Sequence, residues 1–460
     1  MISRRALFAL ATLLAPAAAL PQTVSDSEIR KILADRVDVQ KRSVGIVVGI
    51  VDAKGRRIIA YGKLAKDDPR PLNGDTVFEI GSMTKVFTSL VMMDMVQRGQ
   101  IAVTDPISKY LPETVKVPER NGRKITFEDL STQTSGLPRL PNNLNPKDLN
   151  NPYASYTVEA MYRFLSVYEL TRDIGSQYEY SNLGVGLLGH VLTLCAGTDY
   201  ETLVKTRITR PLEMNSTAIA LTPDMKTRLA QGHDAGMKPV ANWDLPTLAG
   251  AGALRSTAND MLTFLSANLG YLKTPLAPAM AAMLKVRKPT GAPDLDIAYA
   301  WHIHTRNGEP LVIWHNGGTG GYRTFMGYNP QTGVGVVALS NASPPEGVDD
   351  IGRHLLSSTF PLWEPPKKHT EIKLDPKIFD GYTGRYELGP NFILTVSREG
   401  SRFYVQATGQ GKGEIFAESD REFFARFVDA QFTFTTDAGG RATVLTLHQN
   451  GANMPAKRIE

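Results

Sequence analysis

The sequence predicts a mixed α/β fold: an antiparallel sheet flanked by helices, with an inserted helical subdomain, followed by a C-terminal all-β domain, a barrel or sandwich. Three observations carry this. Residues 43–51 are a β-branched run that turns at Asp52-Ala53-Lys54-Gly55 and returns over 57–61, the pattern of a hairpin. Far downstream, the runs 298–304, 311–315, 322–329 and 335–340 read as adjacent strands separated by Gly and Pro turns, with helix-period segments in between. Beyond the stiff, polar Pro365-Pro366-Lys367-Lys368-His369 the texture changes to short strands at roughly 8–12-residue spacing.

The elements follow in order. Ile29, Ile32, Leu33 and Val37 give 25–39 a helical spacing. After a short strand at 76–80, the run from Val86 to Val96 is apolar nearly all round, which predicts a buried helix. Gly99-Gln100 ends it. A helix begins at 125–130 and is broken by Thr134-Ser135-Gly136-Leu137-Pro138. The Pro- and Asn-rich residues 139–155 then read as a surface loop, a candidate rim of a binding cleft. Helices are expected at 158–170, 183–194 and 261–269, the last capped by Ser256 or Thr257, and a closing helix at 347–357. Strands are expected at 384–388, 392–396, 403–407, 415–418, 422–425, 432–435 and 442–447.

Length and composition bound the function. The 460 residues, 42% hydrophobic, suffice for a large core and a second domain. The net charge of +5 is modest and its basic residues are scattered, which argues against a nucleic-acid partner. Arg4 and Arg5, the apolar run 6–14 and Ala17-Ala18-Ala19 predict an export signal over residues 1–19, cleaved near Ala19. The run is shorter than the roughly 20 residues that span a bilayer, so no membrane anchor is expected after cleavage. The mature chain is expected in the periplasm or outside the cell. The single cysteine, Cys195, excludes an intrachain disulfide and sits in an apolar context suited to a packed thiol.

Three stretches carry chemistry. In Phe78-Glu79-Ile80-Gly81-Ser82-Met83-Thr84-Lys85, Ser82 and Lys85 stand one helical turn apart. A serine hydroxyl becomes a nucleophile when a base takes its proton, and a desolvated lysine serves as that base. The same pair is also common as a capped helix with a solvated lysine. Tyr180-Ser181-Asn182 precedes a helix: a tyrosine there is a candidate base or relay if cations stabilise its phenolate, and Asn182 a candidate to orient an amide. Trp314-His315-Asn316-Gly317-Gly318-Thr319-Gly320-Gly321 would let a substrate approach a strand edge whose N–H completes an oxyanion hole. It lacks the Gly-Lys-Ser/Thr ending of a phosphate loop. His302 and His304 alternate along a strand with no third ligand in view, so they read as polar positions on a half-exposed strand. No metal and no cofactor are expected. Glu79 reads as structural.

Taken in order, Ser82-x-x-Lys85, Tyr180-Ser181-Asn182 and His315-Asn316-Gly317 resemble the three motifs of the serine β-lactamase and penicillin-binding protein superfamily. The tyrosine points to the class C branch with its related esterases and D-amino-acid peptidases. The flanks Thr134-Ser135-Gly136-Leu137-Pro138 and Ala253-Leu254-Arg255-Ser256-Thr257-Ala258-Asn259-Asp260-Met261 are similar too. The likeness spans residues 25–360. After a linker at 361–374, residues 375–460, with Gly381-Tyr382-Thr383-Gly384-Arg385-Tyr386, resemble the lipocalin-like domain attached to some members.

The resemblance implies the following roles. Ser82 would be the acylated nucleophile, with Lys85 and Tyr180 sharing proton transfer. Asn182, His315 and Gly317 would bind substrate, and the N–H groups of Ser82 and Gly318 would form the oxyanion hole. The substrate would be a small molecule or peptide: a β-lactam, an ester or a D-amino-acid cell-wall peptide. The alternative is a non-catalytic penicillin or peptidoglycan binder. His315 departs from the family, which has a lysine there. Histidine is only partly charged near neutral pH, which favours an esterase or peptidase over an efficient β-lactamase. Arg323 is the other candidate for the missing charge. The oligomeric state stays open.

Overall fold

β1 (Gly45–Asp52) and β2 (Gly55–Ala65) form the expected hairpin, with Asp52 opposite Gly55. A computed structural model describes residues 24–460 except 308, 366, 367, 390, 391, 450 and 451, so the predicted export segment 1–19 lies outside the described residues. The chain divides into two compact units, one ending at Trp363 and one running from Glu364 to Glu460.

In the first unit the sheet is completed by β3 (Asp68–Pro71), β4 (Lys288–Pro289), β5 (Leu295–Ile297), β6 (His302–Arg306), β7 (Glu309–Gly318), β8 (Arg323–Asn329) and β9 (Val334–Ser340). Their order is β3-β2-β1-β9-β8-β7-β6-β5-β4, antiparallel throughout. The beginning and end of the unit thus build one sheet, joined where Val48 faces Ala338. The residues between β3 and β4 supply most of the helices.

Alternation sets the layers. Among the helices that flank the sheet or fill the insertion are α1 (Asp26–Ala34), α2 (Thr84–Gln97), α3 (Asn182–Ala196), α4 (Ala258–Asn268) and α5 (Asp349–Leu356). Val47, Val51, Val337 and Leu339 belong to one core with α2, α3 and α4. Ile46, Val48, Ile50, Val336 and Ala338 belong to the opposite core with α1 and α5. Burial on both faces is why β1 and β9 read as near-continuous apolar runs. Each aliphatic side chain so buried contributes about 1.5–3 kcal/mol.

Every residue of α2 from Thr84 to Met95 is buried, as its all-round apolar pattern predicts. Thr257 caps α4, its Oγ1 accepting from the Asp260 N–H at 3.2 Å. Two glycines of α3 set what packs on it: an added Cβ at Gly189 would stand 2.9 Å from Gly250 Cα, and one at Gly186 2.6 Å from a Leu248 methyl carbon. The short helix Ala249–Gly252 therefore lies directly against α3.

One expected strand starts late. Residues 298–301 form a tight turn, with the Ala298 N–H donating to the Trp301 carbonyl at 2.8 Å and Ala300 at φ 62°, so β6 begins at His302. The apolar run there buries Trp301 and Tyr299 rather than extending the strand.

In the second unit β10 (Gly384–Gly389), β11 (Phe392–Glu399), β12 (Arg402–Ala407), β13 (Gly413–Ala417), β14 (Glu422–Ala425), β15 (Gln431–Thr436), β16 (Ala442–Gln449) and β17 (Ala452–Arg458) close into a barrel. β17 lies beyond the last strand expected from the sequence, at 442–447. It pairs with β16 on one side and β10 on the other, with Tyr386 and Glu387 opposite Arg458 and Lys457. A short helix, Pro376–Asp380, also unforeseen, places Phe379 in the core. Phe379 stacks on Phe403 at 4.1 Å and packs edge-on against Phe423 and Phe434, so the interior is occupied by aromatic side chains. No helix among the described residues is long and apolar enough to cross a membrane.

Candidate active site

The strand Val77–Glu79 pairs with Arg255–Thr257 and delivers the chain to Gly81. Gly81 has φ 50°, and an added Cβ would stand 2.7 Å from the Gly318 N, so only glycine allows this approach. A 3₁₀ turn, Gly81–Met83, then opens α2. Ser82 is half-buried and Lys85 fully buried. Lys85 Nζ lies 3.0 Å from Ser82 Oγ, 2.9 Å from Asn182 Oδ1 and 2.6 Å from the Ala251 carbonyl. Burial, and secondarily the Arg139 cation, hold the Lys85 ammonium well below the usual lysine range. A neutral amine has two hydrogens and one lone pair. Asn182 Oδ1 and the Ala251 carbonyl take the two hydrogens, which leaves the lone pair for the Ser82 hydroxyl proton.

Tyr180 and Asn182 are set by a stapled loop. The Ser181 N–H donates to Gln133 Oε1 at 2.7 Å, Ser181 Oγ donates to the Pro138 carbonyl at 2.6 Å, and the same oxygen caps α3 by accepting from the Gly184 N–H. The Asn182 N–H donates to the Arg139 carbonyl at 3.0 Å. Tyr180 is partly open to the cleft, with a hydrogen bond to Ser82 at its hydroxyl. Lys85 Nζ lies 4.8 Å and the Arg139 guanidinium carbon 5.1 Å from its ring centre. Burial outweighs the Ser82 hydrogen bond and the Arg139 cation and pushes the phenol above its ordinary value. The condition set for a tyrosine base, a phenolate stabilised by cations, is thus not favoured at Tyr180, which burial holds as the neutral phenol.

The third stretch is the end of β7. An added Cβ at Gly317 would overlap the Ile80 carbonyl oxygen and Thr324 Oγ1, and Thr324 itself donates to that carbonyl at 3.0 Å. These contacts pin the strand to the turn that carries Ser82 and leave Gly318 exposed beside it. Gly317→Ala should lower stability by about 1–3 kcal/mol through this overlap. A thermal melt checks it, and an unchanged Tm would show that the strand is not pinned there.

His315 does not supply a charge beside the substrate. It is 1% exposed, its Nδ1–H donates to the Asn316 carbonyl at 2.6 Å, and its ring packs 6.2 Å from that of Tyr180. Burial, then His302 and Lys85, hold it well below the usual histidine range, so it is neutral. Asn316, next in the strand, does reach the cleft and donates to the half-buried Asp349 at 2.6 Å.

The structure thus gathers Ser82, Tyr180, Asn182, Gly317 and Gly318 around a cleft of about 510 Å³, with Lys85 beneath it, while His315 lies behind the wall. Four wall residues were not foreseen as such: Arg139, Tyr153, Trp243 and His302. The rim expected at 139–155 supplies the first two. Trp243 is held by Glu79, whose Oε1 accepts from the Trp243 N–H at 2.9 Å and pairs with Arg255 at 3.1 Å, so the structural reading of Glu79 stands. His302 is not half-exposed: it is buried, stacks on Trp314 at 5.0 Å and hydrogen-bonds the Tyr178 hydroxyl at 3.1 Å. Burial brings its pKa down to about 4. Only the strand register, His302 opposite Trp314, could have signalled this. Burial likewise pushes the Cys195 thiol up to about 11, consistent with a packed, unreactive thiol.

Residues 27–359 match the protein-family model described as Beta-lactamase, and residues 368–458 match a domain of unknown function, DUF3471. The D-alanyl-D-alanine-carboxypeptidase/endopeptidase AmpH of Escherichia coli (strain K12) is 30% identical over 359 residues, covering 73% of this chain and 91% of that protein. Penicillin-binding protein 4* of Bacillus subtilis (strain 168) is 24% identical over 444 residues, covering 89% and 94%. A crystal structure of a Beta-lactamase/D-alanine Carboxypeptidase from Yersinia pestis, complexed with citrate, superposes with a TM-score of 0.61 at 25% identity, covering 69% of this chain and 93% of that one.

Proposed function

This chain belongs to the beta-lactamase family and is a serine hydrolase; on that premise we propose that Ser82 is its acylated nucleophile, acting on amide or ester bonds of β-lactam, ester or D-amino-acid peptide substrates. The observation that carries this is the 3.0 Å contact between Ser82 Oγ and a desolvated Lys85 amine whose hydrogens are committed elsewhere. Lys85 Nζ takes the hydroxyl proton as Oγ bonds to the substrate carbonyl carbon. The carbonyl oxygen, now an oxyanion, lies between the N–H groups of Ser82 and Gly318. When the carbon–heteroatom bond breaks, the Tyr180 phenol hands its proton to the leaving amine or alkoxide and is reprotonated from the Lys85 ammonium. Water then cleaves the acyl-enzyme through the same groups run in reverse.

Among the substrates, D-alanyl peptides are favoured by the carboxypeptidase/endopeptidase name of the AmpH relative. Residues 1–19 would direct export. The barrel is lipocalin-like in its closed architecture, with aromatic side chains such as Phe379, Phe403 and Phe434 packed in its interior. The second reading, a non-catalytic penicillin or peptidoglycan binder, is disfavoured because a binder has no use for a desolvated base against the hydroxyl.

Intact-protein mass spectrometry with penicillin G, p-nitrophenyl acetate and N-acetyl-D-alanyl-D-alanine tests the proposal. A transient adduct on Ser82 with many turnovers is expected. A permanent adduct without turnover favours the binder, and turnover without any adduct at Ser82 sinks the mechanism.

A further inference from the structure

We propose that Arg139 is a specificity residue that binds an anionic group carried on the acyl side of the scissile bond; the inference rests on the Ser82 reading above. Two guanidiniums line the cleft among the described residues. Arg323 opens β8 across from Gly318, whereas Arg139 stands in the loop that leads into the 139–155 rim. The backbone of that loop is fixed. The Arg139 carbonyl accepts from the Asn182 and Leu183 N–H groups at 3.0 and 3.3 Å, and the Pro138 carbonyl before it accepts from the Ser181 hydroxyl at 2.6 Å. The exposed Arg139 guanidinium lies over the Tyr180 ring, 5.1 Å from its centre, and its charge also acts on the hydroxyls of Tyr153 and Tyr178.

What this guanidinium lacks is a counter-charge. Among the described residues no ion pair and no side-chain hydrogen bond engages it. Among the described residues lining the cleft there is no Asp or Glu. The carboxylates next to the wall in the chain are taken: Glu179, beside Tyr180, pairs with Arg172, and Asp244, beside Trp243, pairs with Arg255 at 3.5 Å and accepts from the Asn151 amide at 2.9 Å. The N–H donors of a planar fork are thus left for an anion that arrives with the substrate, and a carboxylate matches them by charge-assisted bonds. Asn182 sets which end of the substrate this is. Its Oδ1 accepts from Lys85 at 2.9 Å, its backbone is held by Arg139, and its side chain is hydrogen-bonded by the Tyr153 hydroxyl. Tyr153 packs in turn on Trp243 at 5.3 Å and closes the rim on this side. Asn182 is the candidate to orient a substrate amide, and in a penicillin or an N-acyl peptide that amide belongs to the acyl part. A carboxylate just beyond it comes to Arg139.

The test compares carbenicillin with penicillin G, which differ by a single carboxylate on the acyl side chain. The second-order rate of Ser82 acylation by each is followed by intact mass. Any effect of Arg139 on Lys85 or Tyr180 is common to both compounds and cancels in the carbenicillin-to-penicillin G ratio. Arg139→Gln should lower that ratio about 3- to 10-fold, Arg139→Lys should lower it less, and Arg139→Glu should lower it further. In the wild type the ratio should shrink severalfold between about 0.05 and about 1 M salt. A ratio unchanged in Arg139→Gln overturns the assignment, as does acylation by p-nitrophenyl acetate but by neither penicillin. If Arg139→Gln does not fold, the wild type decides, and a ratio that salt leaves unmoved overturns the assignment. No acylation of Ser82 even by p-nitrophenyl acetate means that the underlying mechanism, not the role of Arg139, has failed.

Discussion

Ser82→Ala should leave the fold standing and remove turnover. The substitution deletes one half-exposed oxygen whose partners are Lys85 and Tyr180, and no backbone contact depends on it. Its effect on stability should stay within about 0.5 kcal/mol, the range of a surface change. Its effect on kcat/KM for nitrocefin and p-nitrophenyl acetate should be on the order of 10⁴-fold or more, because the covalent route disappears. What remains is catalysis by the oxyanion donors alone. Activity within tenfold of wild type, with the melt unchanged, would place the nucleophile elsewhere and dismantle the proposal.

The hairpin of β1 and β2, the buried helix α2 and the turn at Gly81 were legible because each rests on local chemistry: a β-branched run, an all-round apolar period, and a glycine before a helix. The Ser82–Lys85 spacing was legible for the same reason. The surroundings that give the pair its chemistry were not. The Ala251 carbonyl that accepts from Lys85 is a backbone group with no side-chain signature, and it arrives only because Gly186 and Gly189 let the segment around it pack close. Likewise the strands that bring His302 beside Trp314 are placed by register, which the sequence does not print.

His315 shows where motif matching misleads. Its position in the third stretch suggests a group facing the substrate. The local backbone instead satisfies its Nδ1–H on Asn316 and buries the ring against Tyr180 and His302. Lys85, His302 and His315 stay neutral for one shared reason: burial penalises the charged form of each, and neighbouring cationic groups, Arg139 for Lys85 and Lys85 for the two histidines, add to it.

The shared neutrality leads to the second large effect. Lys85→Met should lower kcat/KM by about 10²–10⁴-fold, the span of general base catalysis, and should erase the acid limb of the pH profile. In the wild type only the neutral amine works, so kcat/KM should fall tenfold per pH unit below the Lys85 pKa and be level above it. That limb should lie on the acid side of the ordinary lysine value, since burial first and Arg139 second depress it. Arg139→Ala removes the second cause, so the limb should move to higher pH. The stability sign is fixed by the same shift. Lys85 is an ammonium in the unfolded chain up to about pH 10.5 and an amine in the fold, so unfolding takes up a proton. Between the depressed pKa and about 10.5 the wild type should therefore gain up to about 1.4 kcal/mol of stability per pH unit relative to Lys85→Met. Chemical denaturation of both proteins across that range measures the difference. Parallel stability curves, or an acid limb that survives Lys85→Met, would mean that Lys85 stays charged in the fold and that another group takes the serine proton.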